Sequence, residues 1–168
     1  ELYSNLTNAE SSTNIIGFNS DGFRLLSTGS GDARFNQSGQ SYVAWCWKAN
    51  GAGSSNTDGS ITSTVSANTT SGFSVVTYTG NSSASTVGHG LGVAPAMVIV
   101  KKRSGAANDW AVWNKNLSAA QILLLNTSGA AYDPGDNDFQ DTAPTSSVFY
   151  ISATNGRTNA SGEDFVCY

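Results

Sequence analysis

The sequence predicts an all-β protein, an antiparallel β-sandwich of the jelly-roll or concanavalin-like type with at most one short helix. Two observations lead to this prediction. Short runs rich in Val, Ile, Phe, Tyr and Trp recur along the chain, and clusters of Gly, Asn, Ser and Asp separate them. Many short strands at regular spacing are typical of sandwiches and barrels. The length of 168 residues suits one domain with a substantial core.

Each strand is predicted from the β-branched and aromatic content of its run. A weaker run at 61–65 is expected to form an edge strand. Residues 117–125 are the one stretch with helical character, because Ala and Gln at its centre favour a helical turn; the Ile and Leu residues that follow at 122–125 are expected to form a strand. The clearest strands are predicted at 22–26, 41–47, 72–79, 96–101, 110–113 and 147–152.

The composition excludes several classes of protein. Charged residues make up only 12% of the chain and the net charge is −4. A nucleic-acid surface needs clustered cations, and residues 101–103 form the only cluster. No apolar run reaches the ~18 residues of a membrane span, so we expect neither nucleic acid nor membrane insertion. Cys46 and Cys167 are too few for a disulfide framework; they are expected to be small buried hydrophobes or a single bridge.

The chain contains an internal half-repeat. Residues 23–28 and 34–43 match residues 149–154 and 157–166, with a shorter loop between the two parts in the second copy. Each copy has the pattern of a strand, a turn closed by glycine, and a second strand. Two organisations remain open. Residues 1–168 form a single sandwich in which 1–48 resembles 121–168, or 1–48 is a half-unit that completes a neighbour while 49–168 forms the main sandwich.

Four motifs carry a resemblance to a known family, namely those at residues 42–51, 72–80, 87–102 and 110–113. Together they resemble a β-sandwich domain that recurs in virion proteins of tailed phages, notably marine ones, often beside laminin-G or concanavalin-like lectin domains. The resemblance implies a tail-fibre or similar structural protein on the virion surface, in an extracellular setting. It implies other virion proteins as partners and no catalytic residues.

Aromatic side chains suggest a glycan-binding site. Trp110 and Trp113 fall on opposite faces of their strand, so one of them can be exposed. Exposed aromatic rings stack on sugars, and the candidate glycan-binding residues are Trp110, Trp113 and Tyr132. Core packing or subunit contact is the alternative role for these rings. In the run at 41–47, Trp45 and Trp47 share one face, and one face of that strand is expected to be core.

An acidic loop suggests the one cofactor considered, a calcium ion. Asp133, Asp136 and Asp138 lie close together in the sequence, and hard cations prefer several oxygen ligands. The spacing departs from that of calcium-binding loops. Turn chemistry alone also explains Asp, Pro and Gly at these positions, so a plain turn is the alternative.

The sequence gives no reason to expect an enzyme. His89 is the only histidine, and it lies in a glycine-rich turn. One chain therefore offers neither a histidine-activated nucleophile nor a metal site with several histidine ligands. Glutamates occur only at positions 1, 10 and 163, and glycoside hydrolysis needs two carboxyl groups that flank the bond.

The function expected from these observations is that of a non-enzymatic structural subunit. Low charge favours close self-packing because few ions must be desolvated, and we expect a homo-oligomer, a trimer or larger. One alternative is a carbohydrate-binding module that recognises host glycans. Another is a secreted bacterial fibre or matrix subunit that exchanges strands between copies.

Overall fold

The computed structural model describes residues 1–12, 16–25, 35–135, 138–153 and 156–168. Within these residues the named strands are all antiparallel and one short helix is present, which confirms the predicted all-β sandwich-like fold. No helix in this part of the chain has the length and apolar character needed to cross a membrane.

The chain divides into two compact units. The N-terminal unit consists of Glu1 and Ser11–Cys46, and the main unit consists of Leu2–Glu10 and Trp47–Tyr168. The N-terminal unit contains a hairpin of β1 (Ile16–Asn19) and β2 (Gly22–Leu25). The boundary after Cys46 lies near residue 48, where the predicted half-unit ends.

Two sheets form the main unit. The smaller one pairs β6 (Ser85–Gly88) with β10 (Val148–Ile151), and the short helix α1 (Gly156–Asn159) follows β10 in the chain. The larger sheet has seven strands in the order β3 (Ser54–Asn56), β4 (Ser63–Asn68), β5 (Phe73–Thr79), β11 (Asp164–Cys167), β7 (Met97–Lys102), β8 (Ala111–Asn114) and β9 (Leu123–Leu124).

Two expectations about these elements are wrong. The run at 61–65 is not an edge strand, because β4 lies between β3 and β5. At 117–125 the expected helical turn is absent and the chain forms ordinary turns, whereas the strand expected at the end of this stretch is present as β9; the helix of the described chain is α1. The helical turn favoured by Ala and Gln is a weak local preference, and pairing of Leu123–Leu124 with β8 overrides it.

The core lies between the two sheets. On β11, Phe165 is fully buried and its ring stacks on Tyr78 of β5 with centroids 5.2 Å apart. Tyr78 also meets Phe149 of β10 edge to face at 6.1 Å. Phe149 and Ile151 have no exposed surface, so β10 contributes the centre of the smaller sheet's apolar face.

A buried polar cluster holds α1 against the loops around it. Arg157 donates two hydrogen bonds to the carboxylate of Asp138, at 3.1 and 2.9 Å. Asn159 donates through Nδ2 to the carbonyls of Ser83 and Ser152 and accepts the Asn81 amide at 2.8 Å. Because buried polar groups are costly unless they are paired, this cluster fixes the approach to β11.

Candidate functional site

The structure corrects the prediction that Trp110 or Trp113 is exposed. Trp110 has 6% and Trp113 has 4% of its surface exposed, so neither indole offers a face to a sugar ring. The Trp110 indole N–H donates to the carbonyls of Tyr3 and Leu6, in the N-terminal segment of the main unit. Both tryptophans therefore have the alternative role of packing within the domain.

Three of the remaining predicted site residues lie in the described part of the chain, and their environments differ. Tyr132 is 37% exposed, and Asp133 is exposed and accepts the Gly135 amide as in an ordinary turn. Asp138 is 1% exposed and its carboxylate pairs with Arg157. Asp136 lies outside the described residues. In the part of the chain that is described, no group of three or more His, Cys, Asp or Glu side chains could hold a metal ion.

His89 serves the fold of the turn in which it lies. It is 3% exposed; its Nδ1 accepts the Leu91 amide at 3.2 Å and its Nε2 lies 3.2 Å from the Thr145 carbonyl. This arrangement suits the neutral ring with its proton on Nε2. Burial lowers the pKa of His89, in part against the hydrogen bond to Thr145.

The outer face of the seven-stranded sheet carries an aromatic row that the sequence did not reveal. Phe73 stacks on Trp47 with centroids 6.1 Å apart and on Tyr168 at 6.5 Å, with interplanar angles of 24° and 20°. Trp47 is 65% exposed and Tyr168 is 38% exposed. Phe73 begins β5, where alternate residues face away from the core. The row is therefore a partly solvent-facing aromatic surface.

A hydroxyl-lined depression of about 270 Å³ lies on the same sheet. Thr64 pairs with Ser55 on one side and Thr77 on the other, which places their hydroxyl side chains in a line across three strands. Thr79 donates to the Asp164 carboxylate at 3.0 Å. Arg103 also lines the depression, and its ion pair with a neighbouring glutamate, Glu10, lowers the pKa of that carboxyl.

The predicted strand at 41–47 is absent, and neither of its faces is core. Residues 41–50 have no assigned strand among the described residues. Val43 and Trp45 are each 76% exposed, and Tyr42 is 49% exposed. High β-propensity alone does not make a strand here, because a strand also depends on hydrogen bonding to neighbouring strands. The result is an exposed apolar run at 42–47.

The two cysteines differ in environment. Cys167 is buried in β11, as expected for a small hydrophobe, and burial raises the pKa of its thiol. Cys46 is exposed, contrary to that expectation, and both thiols are free.

These features define the class of protein: a small all-β sandwich-like domain with an exposed aromatic row and an exposed apolar run, which share Trp47. Residues 1–168 match the model of a family described as a domain of unknown function (DUF7483), and the chain belongs to that family. No curated protein and no solved structure matches the chain significantly.

Sequence reasoning missed Phe73 and Tyr168 as surface aromatics. Phe73 lies in a predicted strand, where the alternation shows that a face exists but not which face is covered; Tyr168 lies just beyond the second copy of the half-repeat. The alternation in β5 was the available signal: Phe73, Val75 and Thr77 point to one face of the strand, and Ser74 and Val76 point to the other. Because both sets mix apolar and hydroxyl residues, the pattern alone did not assign the core face.

Proposed function

We propose that this domain is a non-enzymatic structural subunit of a phage surface appendage such as a tail fibre. It acts through assembly with copies of itself and other virion proteins, and through contact with the host surface. The observation that carries the proposal is the exposed apolar run, in which Val43 and Trp45 are each 76% exposed and Trp47 is 65% exposed. Large apolar side chains grouped at such exposure are typical of surfaces that bind another protein.

Two further observations support this proposal. The motifs at 42–51 and 87–102 resemble those of phage virion sandwich domains. With only 12% charged residues, little charge must be desolvated when subunits pack together. An extracellular place on the virion surface and a homo-oligomeric state, a trimer or larger, belong to the same proposal.

Light scattering across a dilution series tests the assembly. We expect the purified chain to form a trimer or larger assembly at low concentration, and Val43→Asp to weaken it by placing a charge in the apolar contact. Val93→Asp is the matched control, because Val93 is 64% exposed but lies outside the run. A stable monomer across the series, or equal effects of the two variants, contradicts the proposal.

A carbohydrate-binding module is the second candidate, favoured by the outer face of the seven-stranded sheet. Trp47, Phe73 and Tyr168 supply apolar rings, and the neighbouring depression supplies hydroxyls together with Asp164 and Arg103. Aromatic faces beside hydrogen-bonding groups are the usual means of holding a sugar.

A glycan panel tests this candidate. We expect Trp47→Ala to abolish any binding that the parent shows, because its ring is the most exposed in the row. Trp45→Ala is the matched control, since Trp45 is equally large and exposed but does not belong to the row. Absence of binding across the panel, or loss in both variants alike, rejects the candidate.

A further inference from the structure

Two turns in the chain share a sequence pattern and a backbone geometry. Residues 37–40 and 160–163 occupy the same place in the half-repeat. In each turn the amide of the fourth residue donates to the carbonyl of the first, at 3.2 Å in one and 3.3 Å in the other. The glycine third in each turn has a φ of 78° and 73°, a left-handed conformation that other residues resist. The turn at 37–40 thus has the same local backbone geometry as the turn at 160–163.

In the main unit, the residues around the second turn complete the fold. After the turn, β11 enters the sheet between β5 and β7 and pairs with both. Before the turn, Asn159 is 1% exposed, and its side-chain amide donates the hydrogen bonds at the centre of the polar cluster. Together with β10, this closing half supplies Phe149 and Phe165, both fully buried.

The equivalent residues of the N-terminal unit are exposed. Asn36, at the position of Asn159, is exposed, and Phe23, at the position of Phe149, is 39% exposed. Val43 matches Val166, which is 5% exposed, yet it is itself 76% exposed. The same sequence pattern is thus buried in the main unit, where it closes the fold, and exposed to solvent in the N-terminal unit.

We propose that β2 and residues 35–47 are a second closing half, which completes another domain of the same fold. Residues 42–46 take the place of β11 between that domain's equivalents of β5 and β7. Asn36 enters the polar pocket, and β2 takes the place of β10. The inference deepens one part of the proposed function, assembly with other virion proteins, and rests on it; it names that partner as a domain of this family with an open place in its sheet.

The partner is a related domain rather than an identical one. In the main unit the place between β5 and β7 is already occupied by β11. Thr158 has no exposed surface and its hydroxyl donates to the Asp138 carbonyl, whereas the N-terminal copy has the much larger Phe35 at that position. An acceptor for the wild-type segment therefore has more room there than the main unit has.

Peptide exchange in the cut full-length protein tests the inference. A protease site inserted after the exposed Ala153 releases residues 154–168 as a separate piece that synthetic peptides can replace. Fluorescent peptides of residues 154–168, of residues 31–47 and of residues 31–47 with Phe35→Thr are added, with a scrambled peptide as reference. Fluorescence anisotropy then measures incorporation.

We expect the native peptide, residues 154–168, to exchange. The 31–47 peptide with Phe35→Thr should bind with an affinity within about a hundredfold of that of the native peptide. Adding Asn36→Ala should weaken that peptide about tenfold or more, because buried hydrogen bonds are lost. Gln37→Ala is the matched control, since the equivalent residue is already Ala160. Exchange of the native peptide, with neither 31–47 peptide exceeding the scrambled one, overturns the inference.

A graft in the uncut chain decides the matter if cleavage unfolds the protein. Replacing residues 161–166 with 38–43 changes only Glu163, Asp164 and Phe165. We expect this chain to fold with a melting temperature within a few degrees of the parent, and the reversed hexapeptide to prevent folding. Unfolding of both grafts overturns the inference. If the 31–47 peptides do not exchange but the chain still assembles in light scattering, only the inference is rejected. If the peptides exchange but the chain is a monomer, only the homo-oligomer is rejected.

Discussion

Residues 35–47 and residues 158–168 share one sequence pattern but lie in different environments. Both have the same glycine turn, yet only the second continues into a paired strand. A turn is stabilised by its own four residues, so it forms in either place. A strand is stabilised by neighbouring strands, and residues 42–47 form no strand in the described chain. The comparison separates what local sequence encodes from what a sheet must supply.

Amide exchange should show the largest difference between the two regions. The Val166 amide lies in the strand at the middle of a seven-stranded sheet, and the Val43 amide lies in an exposed run that forms no strand. Central strands open only on global unfolding, so we expect Val166 to exchange about a thousandfold or more slowly than Val43. Hydrogen–deuterium exchange at low protein concentration measures both rates. Comparable protection would mean that residues 42–47 are paired in solution.

Truncation of the equivalent phenylalanines should sharpen the comparison next. Phe149→Ala empties a fully buried site and is expected to lower the free energy of unfolding by about 3–5 kcal/mol. Phe23→Ala should cost much less, because Phe23 is 39% exposed. Urea unfolding of the two variants measures both changes, and equal losses would show that the N-terminal hairpin has a core of its own.

The two equivalent asparagines extend the comparison to polar groups. Asn159→Ala leaves the Asn81 amide and the Ser83 and Ser152 carbonyls without their partner, so we expect a loss of about 3 kcal/mol. Asn36→Ala, at an exposed position, should change stability by less than about 0.5 kcal/mol. Chemical denaturation of the pair is the measurement, and a large effect at Asn36 would contradict its exposure.

Acid should weaken the main unit through His89, and this is the smallest effect expected. Burial holds the pKa of His89 below its ordinary value of 6.5, so the unfolded chain takes up the proton first. Stability is therefore complete above pH 6.5 and falls as the pH drops toward the folded-state pKa, by about 1.4 kcal/mol for each unit between the two values. The N-terminal unit contains no histidine, so its hairpin should not share this dependence.

Melting curves from pH 7.5 down to about 5 measure this dependence. His89→Gln is the control, because it removes the titrating ring while keeping an amide donor and an acceptor. A slope that persists in the variant over this range would assign the acid sensitivity to other groups.

Much of the fold could be predicted, since β-branched and aromatic runs bounded by glycine mark β5, β7 and β10 clearly. The candidate site could not be predicted in this way. The face of a strand that becomes core depends on which other segments cover it, and residues 2–10 cover Trp110 through two backbone carbonyls. In the same way, Arg157 engages the Asp138 carboxylate that the sequence offered for calcium.

The sequence by itself determined the all-β class, most strand positions and the glycine turns, because these depend on the preferences of residues close together in the chain. Only the tertiary structure decided that Phe73 and Tyr168 face outward and that Trp113 is buried. It also decided that one copy of the half-repeat closes a sheet while the other stays exposed. Burial and pairing are relations between segments distant in sequence, so a local pattern can propose a strand but cannot supply its neighbours.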